Sequence, residues 1–225
     1  MIDRIQLGCT AFDELLGGGI EHGSVTELYG EGGVGKTNIC LQLTRNCVLN
    51  KKKPIFIDTE GVSFERLKQI CGDNYSKVNS ETLFFNPFSL DEQEQMVLET
   101  IKIVENSDKI GLIILDSGTM FYRMWLGSEA EQDQRQKLSR QIILLLANAR
   151  KFELPVVITN QVFQDIETGE LSPIGGHILY HNAKAIIRLD RIVDNVRRAT
   201  LIKHRSLPEG LTCEFKITNK GIEDL

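Results

Sequence analysis

The stretch Gly30-Glu31-Gly32-Gly33-Val34-Gly35-Lys36-Thr37 meets every fixed position of the pattern G-x-x-x-x-G-K-[ST]. Glycines let successive backbone N–H groups curl around phosphate oxygens. The Lys36 ammonium reaches the terminal phosphates and the Thr37 hydroxyl is suited to hold Mg²⁺. A helix starting at about Lys36 adds its positive N-terminal dipole. At average glycine usage the four fixed positions coincide by chance in roughly one chain of this length in a hundred. The stretch therefore predicts a nucleotide site, provided a strand precedes it and a helix follows.

Both flanks meet that condition. Ser24-Val25-Thr26-Glu27-Leu28-Tyr29 is a β-prone run leading into the glycines, and Ile39, Leu43 and Cys47 repeat at i, i+4 and i+8, which predicts an amphipathic helix to about Leu49. Ahead of them Phe12, Leu15 and Leu16 have helical spacing before Gly17-Gly18-Gly19, so a short helix stopped by glycine is expected. Pro54-Ile55-Phe56-Ile57-Asp58 reads as a buried strand ending in Asp58-Thr59-Glu60-Gly61. Ligands of open parallel sheets sit at the carboxyl ends of the strands. Glu60 can thus face a γ-phosphate and orient water, or be an ordinary solvated loop acid.

A short helix is expected from Phe64-Glu65-Arg66-Leu67, a strand within 82–86, and a helix with Val97, Ile101 and Val104 inward. Leu112-Ile113-Ile114-Leu115-Asp116 is a continuous apolar run closed by an acid, as in a central parallel strand whose last residue assists Mg²⁺. Residues 122–134 are polar and turn-like. There Tyr122, Arg123 and Trp125 can stack bases, while Glu129, Glu131 and Asp133 oppose phosphate, so a plain surface loop stands beside a DNA-facing one. Leu138, Ile142, Leu145, Leu146 and Ala149 follow the helical period.

Pro155-Val156-Val157-Ile158-Thr159-Asn160-Gln161 is a further buried strand ending in two amides, and residues 162–173 read as a short loop tipped by Thr168-Gly169. The C-terminal part reads as antiparallel strands over 185–191 and 200–203, with a turn at Asp194-Asn195 and an alternating run at Cys213, Phe215 and Ile217. Arg188, Arg191, Arg197, Arg198, Lys203, His204 and Arg205 make it the most basic region: a DNA surface or a charged, solvated strand face. The expected fold class is α/β: a mainly parallel central sheet flanked by helices and extended by antiparallel C-terminal strands.

With 225 residues and no linker-like segment, residues 1–225 are expected to form one core domain. The longest wholly apolar run, 142–147, is far too short to cross a bilayer, and no apolar region marks a secretory signal. The cysteines, five in number and without a C-x-x-C pair, read as thiols of a reducing cytoplasm. A net charge of −5 means that any DNA contact must come from a local patch and be salt-sensitive.

Five ordered blocks give the chain a more specific likeness. They are Gly17-Gly18-Gly19-Ile20 with Tyr29-Gly30-Glu31 and the phosphate loop, Asp58-Thr59-Glu60-Gly61, residues 112–117, Val157-Ile158-Thr159-Asn160-Gln161-Val162, and Pro173-Ile174-Gly175-Gly176. Through them it resembles the RecA-type recombinase ATPases, most closely the archaeal RadA branch and its short RadB paralogues. The resemblance implies a RecA-type core using ATP and Mg²⁺, with Glu60 as the water-polarising base, Lys36 and Gln161 at the γ-phosphate, Thr37 and Asp116 at the metal, and Arg66 near the adenine. It also implies that segments 122–134 and 162–173 are the DNA-facing loops.

Departures from the full recombinase favour the short paralogues. Only a short leader precedes the core, so no N-terminal helix-hairpin-helix domain is expected, and the first DNA-loop position is acidic. The implied role is ATP and DNA binding (single-stranded or branched) with feeble turnover, as an accessory of homologous recombination beside RadA and the Holliday junction resolvase. A cytoplasmic, nucleoid-associated place and self-association go with it. Arg123, Arg197, Arg198, Lys203 and Arg205 are the candidate DNA contacts, and Lys203 or Arg205 can also supply charge to a neighbour's γ-phosphate. A nucleotide-gated binding module without useful hydrolysis stays open as an alternative. So does a KaiC-like signalling ATPase, although such proteins usually show paired glutamates where this chain has Asp58-Thr59-Glu60.

Overall fold

The computed structural model describes residues 3–164 and 171–225. The chain starts with β1 (Arg4–Ile5), α1 (Thr10–Leu15) and β2 (Ile20–Glu21), where β1 and β2 pair antiparallel. Then come β3 (Ser24–Gly30), α2 (Lys36–Leu49), β4 (Lys53–Asp58), α3 (Phe64–Cys71), α4 (Tyr75–Glu81), β5 (Leu83–Phe85) and α5 (Leu90–Glu105). β6 (Ile110–Asp116), α6 (Glu131–Phe152) and β7 (Pro155–Asn160) complete the parallel part. β8 (Val162–Gln164), β9 (Leu171–Pro173), α7 (Gly176–Asn182), β10 (Ala185–Val193), β11 (Val196–His204), β12 (Thr212–Thr218) and β13 (Gly221–Glu223) close the chain.

Nine strands make the main sheet in the order β13-β12-β11-β10-β3-β7-β6-β4-β5. From β10 to β5 neighbours are parallel, and from β10 to β13 antiparallel. The apolar runs of the central strands follow from burial on both faces. Leu112 and Ile114 of β6, Phe56 of β4, Val157 of β7 and Leu28 of β3 pack on the side of α2, with its Ile39 and Leu43. Ile113 and Leu115, Ile55 and Ile57, Val156 and Ile158, and Val25 pack on the side of α5 and α6, with Val97, Ile142 and Leu145.

This period of two decides where the strand-end side chains go. Asp58, Asp116 and Thr159 share the parity of Phe56, Ile114 and Val157, so they point to the face over which α2 begins. Glu27 and Asn160 share the parity of Val25 and Ile158, so they point to the α6 face.

Some sequence expectations need correction. Residues 162–173 do not form a plain loop at their ends, since Val162 pairs with Pro173, Phe163 with Ser172 and Gln164 with Leu171 in an antiparallel ribbon. The expected Thr168-Gly169 tip lies outside the described residues. Within 122–134, Tyr122 is buried with its hydroxyl toward Glu131 (3.3 Å), a 3₁₀ turn spans Tyr122–Trp125, and α6 already begins at Glu131. Glu131 also accepts from the Gly127 N–H (2.7 Å), so an acid expected to repel phosphate instead closes the turn before its own helix. Among the described residues no helix is long and apolar enough to cross a membrane.

Candidate nucleotide site

The phosphate loop joins the end of β3 to the start of α2 at the carboxyl edge of the parallel strands. Its glycines are required where the backbone is left-handed or crowded: φ is +76° at Gly33 and +108° at Gly35, the N-cap of α2. A cavity of about 290 Å³ lies over the loop, lined by Gly30, Glu31, Gly32, Gly33, Gly35, Lys36, Thr37, Asn38, Glu60, Arg123, Gln161 and Val162. Val34 is buried beneath it. The fold thus brings the phosphate-loop residues, Glu60 and Gln161 to one cavity.

Lys36 is buried, and its ammonium donates to the carbonyls of Gly30 (2.7 Å) and Glu31 (2.9 Å). Burial lowers its pKa, while Glu60 and then Asp116 act in the opposite direction. Asp116 is buried behind it, accepting from the hydroxyls of Thr159 and Thr37. Burial pushes Asp116 up to about 6 against those two hydrogen bonds, and the carboxylates of Glu60 and Asp58 add to the rise. Burial is the main cause of that rise, and a divalent cation beside Thr37 would favour the ionised form.

These residues fit Mg²⁺-ATP. Loop amides and one buried ammonium suit a triphosphate. One hydroxyl and one carboxyl suit a metal that is otherwise held by phosphates and water. Bound there, the metal neutralises phosphate charge.

Glu60 is aimed by a device that its own position does not reveal. The Asp58 carboxylate accepts from the backbone N–H groups of Glu60 (3.2 Å), Gly61 (2.8 Å) and Val62 (2.6 Å) and from Asn86 (3.1 Å), fixing the turn that carries Glu60. Thr59 and Ser117 exchange bonds between the ends of β4 and β6 (3.0 and 2.8 Å). At the cavity mouth Gln161 Nε2 donates to Glu60 (2.6 Å), and Arg123 donates to Gln161 Oε1. Arg123 thus stands at the rim of this cavity. Arg66 lies behind the lining, donating to Asn38 Oδ1 (2.6 Å) and the Thr218 carbonyl (2.6 Å).

The remaining candidate DNA cations do not form a free basic surface. Arg198 pairs with Glu214 (2.7 Å), Arg205 with Glu21, and Lys203 donates to the Tyr180 carbonyl with its ammonium 4.8 Å from that ring. Lys203 lies opposite Ile186, and Ile186 opposite Glu27, so Lys203 and Arg205 sit toward the end of the sheet away from their own phosphate loop. Arg197 is buried against that loop. Contacts with β12, α7, Glu21 and the phosphate loop engage the charges that the linear sequence left loose.

Sequence reasoning also missed a buried polar network on the α6 face. Thr119 donates to Asn160 Oδ1 (2.6 Å), and Asn160 donates to Glu27 (2.8 Å) and to the Ile174 carbonyl (3.0 Å). The available signal was an acid inside an otherwise β-prone run. Burial pushes Glu27 up to about 7, with Asn160 and Lys203 opposing. A folded value raised above the ordinary 4.5 gives stability that is complete below that value and lost as pH rises through about 7. Asp116 has the same sign over a lower window, from 3.8 to about 6. Melting temperature of the nucleotide-free protein is therefore expected to fall by several degrees between about pH 4.5 and pH 7, and Glu27→Gln to flatten that fall. An unchanged slope in the variant would show that Glu27 is not the titrating group.

Comparison with known proteins agrees with this architecture. The Rad51 family pattern matches residues 1–225. A DNA repair and recombination protein RadB of Methanococcoides burtonii is 49% identical over 221 residues, covering 98% of this chain and 97% of that one. Its namesake in Thermoplasma acidophilum is 41% identical over 221 residues, covering 98% and 94%. A crystal structure of the RadB recombinase superposes with a TM-score of 0.85 at 34% identity, covering 98% of this chain and 99% of that one.

Proposed function

We propose that this chain, which belongs to the Rad51 family and within it to the RadB proteins, acts in recombinational repair as an ATP-responsive DNA-binding accessory. Its role in DNA repair and recombination follows from that membership. The finer reading is a single core over residues 1–225 that binds Mg²⁺-ATP, hydrolyses it weakly and assists RadA and the Holliday junction resolvase without exchanging strands itself.

One observation carries the nucleotide-responsive part. Glu60, Gln161 and Arg123 form a hydrogen-bonded chain from the cavity to the surface, and the Gln161 carbonyl accepts from the Ile174 N–H (2.9 Å) at the return of the β8–β9 ribbon. A γ-phosphate that takes the Gln161 amide from Glu60 releases Arg123 and shifts the ribbon base. Trp125 and Phe163 are exposed on the two segments that Gln161 connects, where aromatic rings can stack unpaired bases.

In this mechanism Lys36 and the loop amides would hold the phosphates, and Thr37 and Asp116 would hold the metal. Glu60 orients water, and Gln161 passes the occupancy of the site to the surface. Anisotropy of a labelled single-stranded or branched oligonucleotide, with and without ATP and with mass monitored by light scattering, tests it. Salt-dependent binding that ATP alters in the wild type but not in Lys36→Ala is expected. Absence of binding at low salt in both nucleotide states would sink the DNA half of the proposal.

A further inference from the structure

The β10–β11 hairpin meets the phosphate loop from its outer side. β10 runs parallel to β3 with Leu189 opposite Gly30, so the turn at Asp194 and Asn195 projects beyond the strand end, beside the loop that follows Gly30. Arg191 and Arg197 stand opposite one another on the two arms of this hairpin. Arg197 is only 6% exposed. Its Nη1 donates to the carbonyls of Asp194 (2.7 Å) and Val196 (2.9 Å), its Nη2 donates to the Gly33 carbonyl (3.3 Å), and its Nε is buried without an acceptor.

Arg191 brings a second guanidinium to the same glycine: its Nη2 lies 3.1 Å from where a β-carbon on Gly33 would stand. Among the described residues neither arginine pairs with a carboxylate. Of the nearby acids, Asp190 pairs with Arg188 and Glu214 with Arg198, while Asp194 in the turn offers Arg197 its backbone carbonyl. Two adjacent guanidiniums without an acid, one of them buried, cost free energy in the nucleotide-free protein. An anion arriving on the loop offsets that cost.

We infer that Arg197 is a positioning residue of the nucleotide site, acting through the phosphate loop of its own chain. The inference rests on the ATP reading above. A peptide unit is planar and trans, so the Gly33 carbonyl and the Val34 N–H point in opposite directions. With its carbonyl held by a guanidinium on the outer side, the unit turns the Val34 N–H inward to where phosphate binds. The charge on the oxygen also polarises the unit and strengthens the N–H as a donor. Arg191 adds a second positive charge behind the same peptide, and phosphate relieves the repulsion between the two arginines. Arg197 therefore belongs to the nucleotide site and not to a DNA surface.

The test is titration of fluorescent ATP and ADP into wild type, Arg197→Gln, Arg197→Lys, Arg191→Gln and Lys36→Ala. Melting of each, with and without ADP, separates folding from binding. Arg197→Gln is expected to weaken both nucleotides about tenfold, and to reduce ADP-induced stabilisation in proportion, because a charged hydrogen bond to the loop is lost. Arg197→Lys should recover most of the affinity. Arg191→Gln should lose about threefold, since its charge acts without a hydrogen bond, and it decides the matter if Arg197→Gln does not fold.

Wild-type affinity in a folded Arg197→Gln overturns the inference, as does a lysine variant as weak as the glutamine one. In the oligonucleotide anisotropy measurement described above, lost DNA binding with intact nucleotide affinity returns Arg197 to the DNA surface and overturns it as well. Failure of the nucleotide reading looks different: wild type and Lys36→Ala would then be indistinguishable.

Discussion

Lys36→Ala is expected to lower affinity for ATP and ADP by roughly a hundredfold or more, while the nucleotide-free protein stays folded. Lys36 is the buried cation of the cavity, and the carbonyls of Gly30 and Glu31 already hold its ammonium near the loop, so little reorganisation precedes phosphate contact. Each charge-assisted hydrogen bond removed from phosphate is worth about 1.5–3 kcal/mol, and two such bonds account for the hundredfold or more. The effect on folding is smaller because the ammonium is itself disfavoured by burial, and alanine removes that cost along with the two carbonyl contacts. Asp116 should respond too: without the Lys36 charge nearby, its carboxyl, already pushed up to about 6, moves higher. Titration calorimetry at several pH values checks both parts. Binding within threefold of wild type would remove the basis of the nucleotide assignment.

How much of this was legible in the sequence depends on the range of the interaction concerned. The glycine loop and its flanking strand and helix are local, and the apolar runs ending in Asp58, Asp116 and Asn160 announce parallel strands buried on both faces. Alternation along those runs then dictates that Asp116 meets Thr37 while Asn160 meets Glu27 across the sheet. The partners of the C-terminal cations were not legible. They depend on an antiparallel register that shifts twice, between Ile186 and Ile187 and again between Arg191 and Val193, and each shift changes which side chains stand opposite. Arg197 and Arg198, adjacent on β11, point to opposite faces of the sheet, so Arg197 is buried at the phosphate loop while Arg198 pairs with Glu214 opposite it on β12. Short α4 and α7 escaped because seven residues hold too few apolar positions to display a helical period. The Asp58 turn escaped for another reason: an Asp at a strand end suits both an Asx turn and a ligand contact, and only the fold shows its carboxylate taken by the backbone N–H groups of Glu60, Gly61 and Val62.

Gly30→Ala and Gly32→Ala, two substitutions in the same loop, are expected to differ sharply. Gly30 has φ +152° and pairs with Leu189 of β10, and a β-carbon there would stand 2.3 Å from the Leu189 carbonyl oxygen and 3.2 Å from Val34 Cγ2. The first obstacle is backbone of a paired strand, so relief requires β10 to move away from β3 or the loop to turn. Either route disturbs the Arg197 and Gly33 contact carried by the adjoining hairpin. Unfavourable backbone conformation and overlap together cost a few kcal/mol, which for a domain of this size lowers the melting temperature by roughly 10 °C. Nucleotide affinity should drop at least tenfold, because the loop amides share the displacement. A β-carbon on Gly32 would meet nothing within 4 Å, and the residue is exposed on the loop, so its alanine variant should melt within about 1 °C of wild type. Calorimetric scans and ADP titrations of the two variants side by side make the comparison. Equal behaviour of the pair would mean that β10 does not pack on the loop as described, and the hairpin's hold on the phosphate loop would fall with it.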